Sequence, residues 1–201
     1  MNYLYGGWNS VNFVEFFPPI KILIFYLGGK YMKISIASGK GGTGKTTIAV
    51  NLAIFLKEKY PEMSIYLIDL DVEAPNSEYF IKPQHIKEQT AYRMIPEVTE
   101  NCNHCGKCSE ICEFNAIVNL PDNLLILPEL CKACYACIEL CPLNALKEKF
   151  VPLGTISHGD FFTKGKSDKF TSSEDEHKIK FTEGRLKIGE AMAVPLIRQV
   201  K

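Results

Sequence analysis

The chain has 201 residues, enough to bury the core of one ordinary domain or of one domain with a small insert, which excludes a peptide hormone or a disordered tail. Lys plus Arg and Asp plus Glu both number 23, and 46% of residues are apolar, so no charge excess points to nucleic acid or an acidic membrane. All eight cysteines fall between Cys102 and Cys141, unlike a disulfide framework spread through a secreted domain, and the clustering points to metal in a reducing cytoplasm. Residues 1–31 differ in composition from the rest, with nine aromatics and only Glu15, Lys21 and Lys30 charged. Their most apolar run, Ile20 to Leu27, contains Lys21 and is far shorter than the ~20 residues of a membrane-spanning helix. Glu15 and Pro18-Pro19 interrupt any signal-peptide pattern. The segment reads as an atypical extension before a start at Met32; the competing reading is an interfacial anchor, which would normally also carry a basic face.

From Met32 the pattern is regular. Lys33 to Ser38 alternates and is rich in β-branched residues, predicting a strand that enters a glycine-rich turn. Thr46 to Lys59 sets Ile48, Leu52, Phe55 and Leu56 at helical spacing, with Pro61 as terminator, and Ser64 to Asp69 reads as a second strand. Strand, helix and strand form a βαβ unit, so the expected class is α/β with a parallel sheet and a right-handed crossover. Between the first strand and the helix lies Gly39-Lys-Gly-Gly-Thr-Gly-Lys-Thr-Thr47, the context that makes a glycine-rich string a phosphate loop rather than a flexible turn. Gly39, Gly41, Gly42 and Gly44 let successive backbone N–H groups, those of Thr43 and Thr47 included, face one anion, and the helix N-terminus adds its dipole. Lys45 would reach the β- and γ-phosphates of ATP, and the Thr46 hydroxyl would ligate Mg²⁺.

Lys40-Gly-Gly-Thr-Gly-Lys-Thr46 resembles the deviant Walker A motif of the MinD/ParA and nitrogenase iron-protein class of P-loop ATPases. The resemblance implies that Lys40 contacts the partner's phosphate across an ATP-sandwich homodimer and neutralises transition-state charge there; otherwise it is a solvated loop cation. The second strand ends in Asp69-Leu-Asp71-Val-Glu-Ala-Pro-Asn76, where α/β sheets bind ligands. Asp71, supported by Asp69, is the candidate for orienting the attacking water. Without the resemblance, the two aspartates serve equally as capping or turn residues.

Residues 100–149 carry the run Cys-x-x-Cys-x-x-Cys-x-x-x-Cys twice, as Cys102, Cys105, Cys108, Cys112 and as Cys131, Cys134, Cys137, Cys141. Three close cysteines wrap three corners of a cubane and the fourth of each run reaches the other cluster, so Cys141 completes the first [4Fe-4S] cluster and Cys112 the second. A pair of structural zinc sites is the alternative, but zinc needs no third cysteine at this spacing. The segment resembles bacterial-type ferredoxins with two [4Fe-4S] clusters, departing only at Glu113, where proline is frequent. Tyr135 either shields a cluster or merely packs.

Gly159 to Lys178 reads as a solvated loop interrupted by Phe161-Phe162, Lys178 to Thr182 as a strand, and Pro195 as part of the first turn of a helix. The nucleotide-binding domain is thus expected in two parts, 32–99 and 150–201, around an inserted ferredoxin domain, 100–149. The order of parts is similar to MinD-superfamily ATPases with an inserted ferredoxin domain, with Pro128-Glu-Leu130 and Gly184-Arg-Leu-Lys-Ile-Gly-Glu-Ala-Met192 as further landmarks. That family continues to an Asp-x-Pro-Pro-Gly switch segment which does not occur before Lys201, so the resemblance implies a truncated chain that binds clusters well and hydrolyses ATP poorly. It also implies a cytoplasmic protein coupling ATP binding or turnover to electron transfer, through a redox partner, or to cluster delivery to a client apoprotein. The competing readings are a ferredoxin-like electron carrier on a nucleotide-binding scaffold and a MinD/ParA-like positioning ATPase. Amidating chemistry of the related synthetases would need a glutamine-hydrolysing cysteine beyond the eight already committed.

Overall fold

The computed structural model describes residues 20–27, 30–163 and 177–200. In chain order these form β1 (Ile20–Leu27), β2 (Lys30–Ala37), α1 (Lys45–Lys59), β3 (Ser64–Asp69), α2 (Ser77–Ile81), β4 (Gln84–Val98), α3 (Lys107–Glu110), β5 (Ile117–Leu120), β6 (Asn123–Ile126), α4 (Ala136–Glu139), β7 (Leu146–Phe162), β8 (Lys178–Leu186) and α5 (Ala193–Val200). Six strands make one mixed sheet in the order β2-β1-β3-β8-β7-β4, and β5-β6 is a separate hairpin. Alternation of side chains across the strands builds two cores. Leu23, Phe25, Ile65, Leu67, Ile179 and Phe181 meet α1 on one face. Ile68, Val72, Leu153 and Ile156 meet Leu196 and Val200 of α5 on the other. A Cβ on Gly184 would stand 2.5 Å from the Val200 side chain, so α5 rests on bare backbone there. Among the described residues no helix is long and apolar enough to cross a membrane.

Three sequence expectations need correction. The first concerns the parallel sheet expected of the βαβ unit: residues 1–19 lie outside the described residues, but Ile20–Leu27, upstream of the expected start at Met32, is an interior strand antiparallel to both β2 and β3. It separates the strands expected to be neighbours, so the sheet is mixed and β3 with β8 is the parallel pairing among the described residues. Lys21, which together with the run's shortness spoke against a membrane-spanning helix, is fully buried and ion-paired with Asp69 directly opposite it across the β1-β3 register. Breaking such a pair from one side strands a buried charge, at about 3–5 kcal/mol. Lys21→Met is therefore expected to lower the melting midpoint by roughly 10 °C in a circular-dichroism melt, and Lys21→Met with Asp69→Asn to regain most of the loss.

The second concerns α1. Ile48 and Phe55 are more than half exposed, and the buried face carries Ala49, Val50, Ala53 and the Lys57 stem. Small side chains let the helix sit close to the sheet, while Lys57 donates to the carbonyls of Pro61 and Met63 at 2.6 and 2.9 Å. The third concerns Phe161, read as part of a solvated loop but buried within β7; residues 164–176 of that segment lie outside the described residues. β4 and β7, both unpredicted, form a long antiparallel ribbon running from Gln84↔Asp160 to Val98↔Leu146. The cysteine-bearing residues, 99–145, fill the interval between its two strands and are closed off by the Thr99 N–H bond to Ala145 O.

Candidate functional site

The phosphate loop spans the interval from β2 to α1. Gly42 and Gly44 hold φ of 74° and 85°, a left-handed conformation that glycine adopts without steric cost. A Cβ at Gly39, Gly41, Gly42 or Gly44 would meet nothing within 4 Å, so open space stands beside the loop backbone. Ser38 Oγ donates to Lys40 O at 2.9 Å and Thr43 Oγ1 to Ser38 Oγ at 2.7 Å, which ties the loop's two limbs together. Gly44 caps α1, whose first turn contains no acidic residue, leaving its amide dipole free for an anion. Lys45 and Thr46 are buried at the loop's base, whereas Lys40 and Thr47 are exposed.

The acidic loop after β3 folds around Asp69. One of its oxygens accepts from Asp71 N at 3.0 Å, the other from Asn76 N and Ser77 N at 3.4 and 3.1 Å, and Lys21 completes its shell. Asp69 thereby holds the loop in shape. Asn76 Oδ1 accepts from Thr46 Oγ1 at 2.6 Å and from Lys21 Nζ at 3.3 Å, so Asn76 joins the phosphate loop, the acidic loop and β1. Asp71 is half-buried; burial raises its carboxyl above the ordinary aspartate range, against the pull of Lys21 and then Lys45. Behind the loop, burial and the Glu78 carboxylate push Glu183 up to about 7, although Arg185 donates to it at 3.2 Å and also to Glu78 at 2.6 Å. Lys21, Asn76 and Glu183 carried no role in the sequence reading. A lone lysine in a β-branched apolar run was the available signal for the first.

The cysteine segment repeats its backbone as well as its sequence. Left-handed residues recur in register with the two cysteine runs: His104 with Ala133, Gly106 with Tyr135, and Asn115 with Asn144. One-turn helices α3 and α4 follow the second of these pairs. Ala116 N donates to Cys112 Sγ and Ala145 N to Cys141 Sγ, both at 3.3 Å. Two clefts result. One is lined by Cys102, Cys105, Cys108 and Cys141, the other by Cys112, Cys131, Cys134 and Cys137. All eight thiols are free. Burial, together with its neighbours Cys131 and Cys134, pushes the Cys137 thiol up to about 11, and burial raises Cys108. A metal group must displace those protons as it binds. Four thiols per cleft, each set with an N–H to sulfur bond, form a donor set that fits a [4Fe-4S] cluster.

The chain matches the model of the CobQ/CobB/MinD/ParA nucleotide binding domain over residues 34–194. It belongs to that family. The match runs from within β2 to the start of α5 and includes the glycine-rich loop between β2 and α1. Among curated proteins the chain is 41% identical over 101 residues to an uncharacterized protein of Methanocaldococcus jannaschii, covering 49% of this chain and 35% of that one. It is 54% identical over 43 residues to an iron-sulfur protein required for NADH dehydrogenase, mitochondrial, of Arabidopsis thaliana, covering 21% of this chain and 13% of that one. It is 49% identical over 43 residues to an iron-sulfur cluster transfer protein of Mus musculus, covering 21% and 14%. The chain thus matches only about a third or less of the length of these relatives.

Proposed function

We propose that this chain is an ATP-binding iron-sulfur protein that holds two [4Fe-4S] clusters and uses nucleotide binding or hydrolysis to govern delivery of an iron-sulfur cluster to an apoprotein or of an electron to a redox partner. One observation carries the reading: a single chain presents a phosphate loop and, on the β4/β7 ribbon of the same sheet, two clefts of four cysteines each. The family assignment and the partial likeness to an iron-sulfur cluster transfer protein support it. Cys102, Cys105, Cys108 and Cys141 would hold one cluster, Cys112, Cys131, Cys134 and Cys137 the other, and bound clusters would supply one-electron chemistry. Gly39 to Thr47 would cradle the phosphates, with Thr46 turning from Asn76 to Mg²⁺ and Asp71 facing the water. The exposed Lys40 is free to reach a second copy's nucleotide, consistent with a homodimer as the working unit.

The test is anaerobic reconstitution followed by cluster transfer to an apo-ferredoxin acceptor, read by circular dichroism with and without MgATP. A transfer rate changed at least fivefold by nucleotide is expected. Equal rates under conditions where calorimetry shows ATP bound would move the chain to the competing reading, an electron carrier built on a nucleotide-binding scaffold.

A further inference from the structure

Arg93 is 6% exposed and lies on β4. Its guanidinium bridges two parts of the chain. Nη1 donates to Pro128 O at 3.1 Å and to Cys131 O, the carbonyl of a cysteine in the second cleft, at 3.5 Å, while Nε donates to Glu190 Oε2 at 3.1 Å. The other oxygen of Glu190 accepts from Ala191 N and Met192 N, the amides that lead into α5. The segment carrying Glu190 is fastened to the sheet as well: Leu186 N donates to Val72 O beside Asp71, and Lys187 N to Leu153 O. A buried, permanently charged fork that satisfies two carbonyls at the entrance to a cysteine loop does more than fill space, because its charge acts in a medium of low dielectric.

We propose that Arg93 is a positioning residue for the second cysteine set, and that the balance between its charge and that of Glu190 sets how readily the group held by Cys112, Cys131, Cys134 and Cys137 accepts an electron. This rests on the reading that the eight cysteines hold two clusters. Among the described contacts the cation bonds the cysteine loop directly, at Cys131 O, and the carboxylate is joined to that loop only through Arg93, so the pair presents its positive end to the site. Removing the cation disfavours an added electron; removing the carboxylate favours it. Nothing in the first cleft is tied to this pair among the described contacts, so the first set is untouched.

The test is an EPR-monitored redox titration of the reconstituted full chain as wild type, Arg93→Met, Arg93→Lys and Glu190→Gln, each with its iron content. In Arg93→Met one of the two midpoints is expected to fall by at least a factor of ten in the reduction equilibrium, 59 mV for a one-electron couple. In Glu190→Gln the same midpoint rises, and Arg93→Lys restores more than half of the fall. The other midpoint moves by less than a third as much. Shifts of the same sign in Arg93→Met and Glu190→Gln, equal movement of both midpoints, or no movement overturn the proposal. If Arg93→Met loses iron, the opposite signs expected of Glu190→Gln and Arg93→Lys decide it instead. A wild-type chain that binds fewer than about eight iron atoms defeats the two-cluster reading itself, an outcome the iron assay separates from an unmoved midpoint.

Discussion

Replacing Lys45 by alanine is expected to weaken ATP binding at least about thirtyfold while leaving the chain folded. Lys45 is the first residue of α1 and is 8% exposed, so its side chain is largely buried at the foot of the loop. A triphosphate lodged there brings several negative charges into a site whose other donors are neutral amides, and the lysine is the charged partner already in place. Truncating one side of a buried charge pair costs about 2–5 kcal/mol, which is roughly thirty- to several-thousandfold in affinity. Lys21 does not replace it, being committed to Asp69 and Asn76. Isothermal titration with MgATP measures the loss, and an unchanged melting curve separates it from unfolding; a change below threefold would remove Lys45 from the phosphate site. Lys40→Ala provides the contrast. An exposed loop cation adds little to binding within one chain, so its effect should appear only at protein concentrations where copies associate.

The second large effect is a pattern of iron loss that depends on which cysteines are removed together. If each cleft holds one cluster, Cys141 belongs with Cys102, Cys105 and Cys108, although it follows them by a whole run. Cys105→Ala with Cys141→Ala should then leave one cluster intact, with about four iron atoms per chain, because both losses fall on the same site. Cys134→Ala with Cys141→Ala should leave neither cluster intact, because the losses fall on both. If each run instead closed on itself, the two outcomes would be exchanged. Iron and acid-labile sulfide analysis after anaerobic reconstitution reads the difference without any assay of turnover.

The parts of the site that could be read from sequence are those in which a function is carried by neighbours along the chain. The phosphate loop is one unbroken stretch whose glycines and Lys45-Thr46 derive their meaning from spacing alone, and each cysteine run is equally local. What escaped was made by partners remote in sequence. Arg93 and Glu190 are 97 positions apart, and Lys21 and Asn76 are 55 apart. Periodicity also misled in part: of the four apolar residues that marked a face of α1, Leu52 and Leu56 pack against the core, whereas Ile48 and Phe55 are exposed and Ala49 and Ala53 take the buried positions. β4 was hidden by its own composition. Its first seven residues, Gln84 to Thr90, are exposed and mostly polar, and they are strand only because β7 pairs with them.

The position of β2 has a consequence for how the molecule responds to its ligand. This strand lies at the rim of the described sheet, paired on one side only, and most of its residues are exposed. The phosphate loop therefore hangs from an edge strand and not from the centre of the described sheet. Strands of this kind open locally at a small fraction of the global unfolding free energy. A nucleotide gripped by the Gly39–Thr47 amides must suppress that opening as a condition of binding. Part of its contact energy goes into quieting the rim, and amide exchange along Lys30–Ala37 should slow in proportion to occupancy, so the strand itself reports whether the loop is filled.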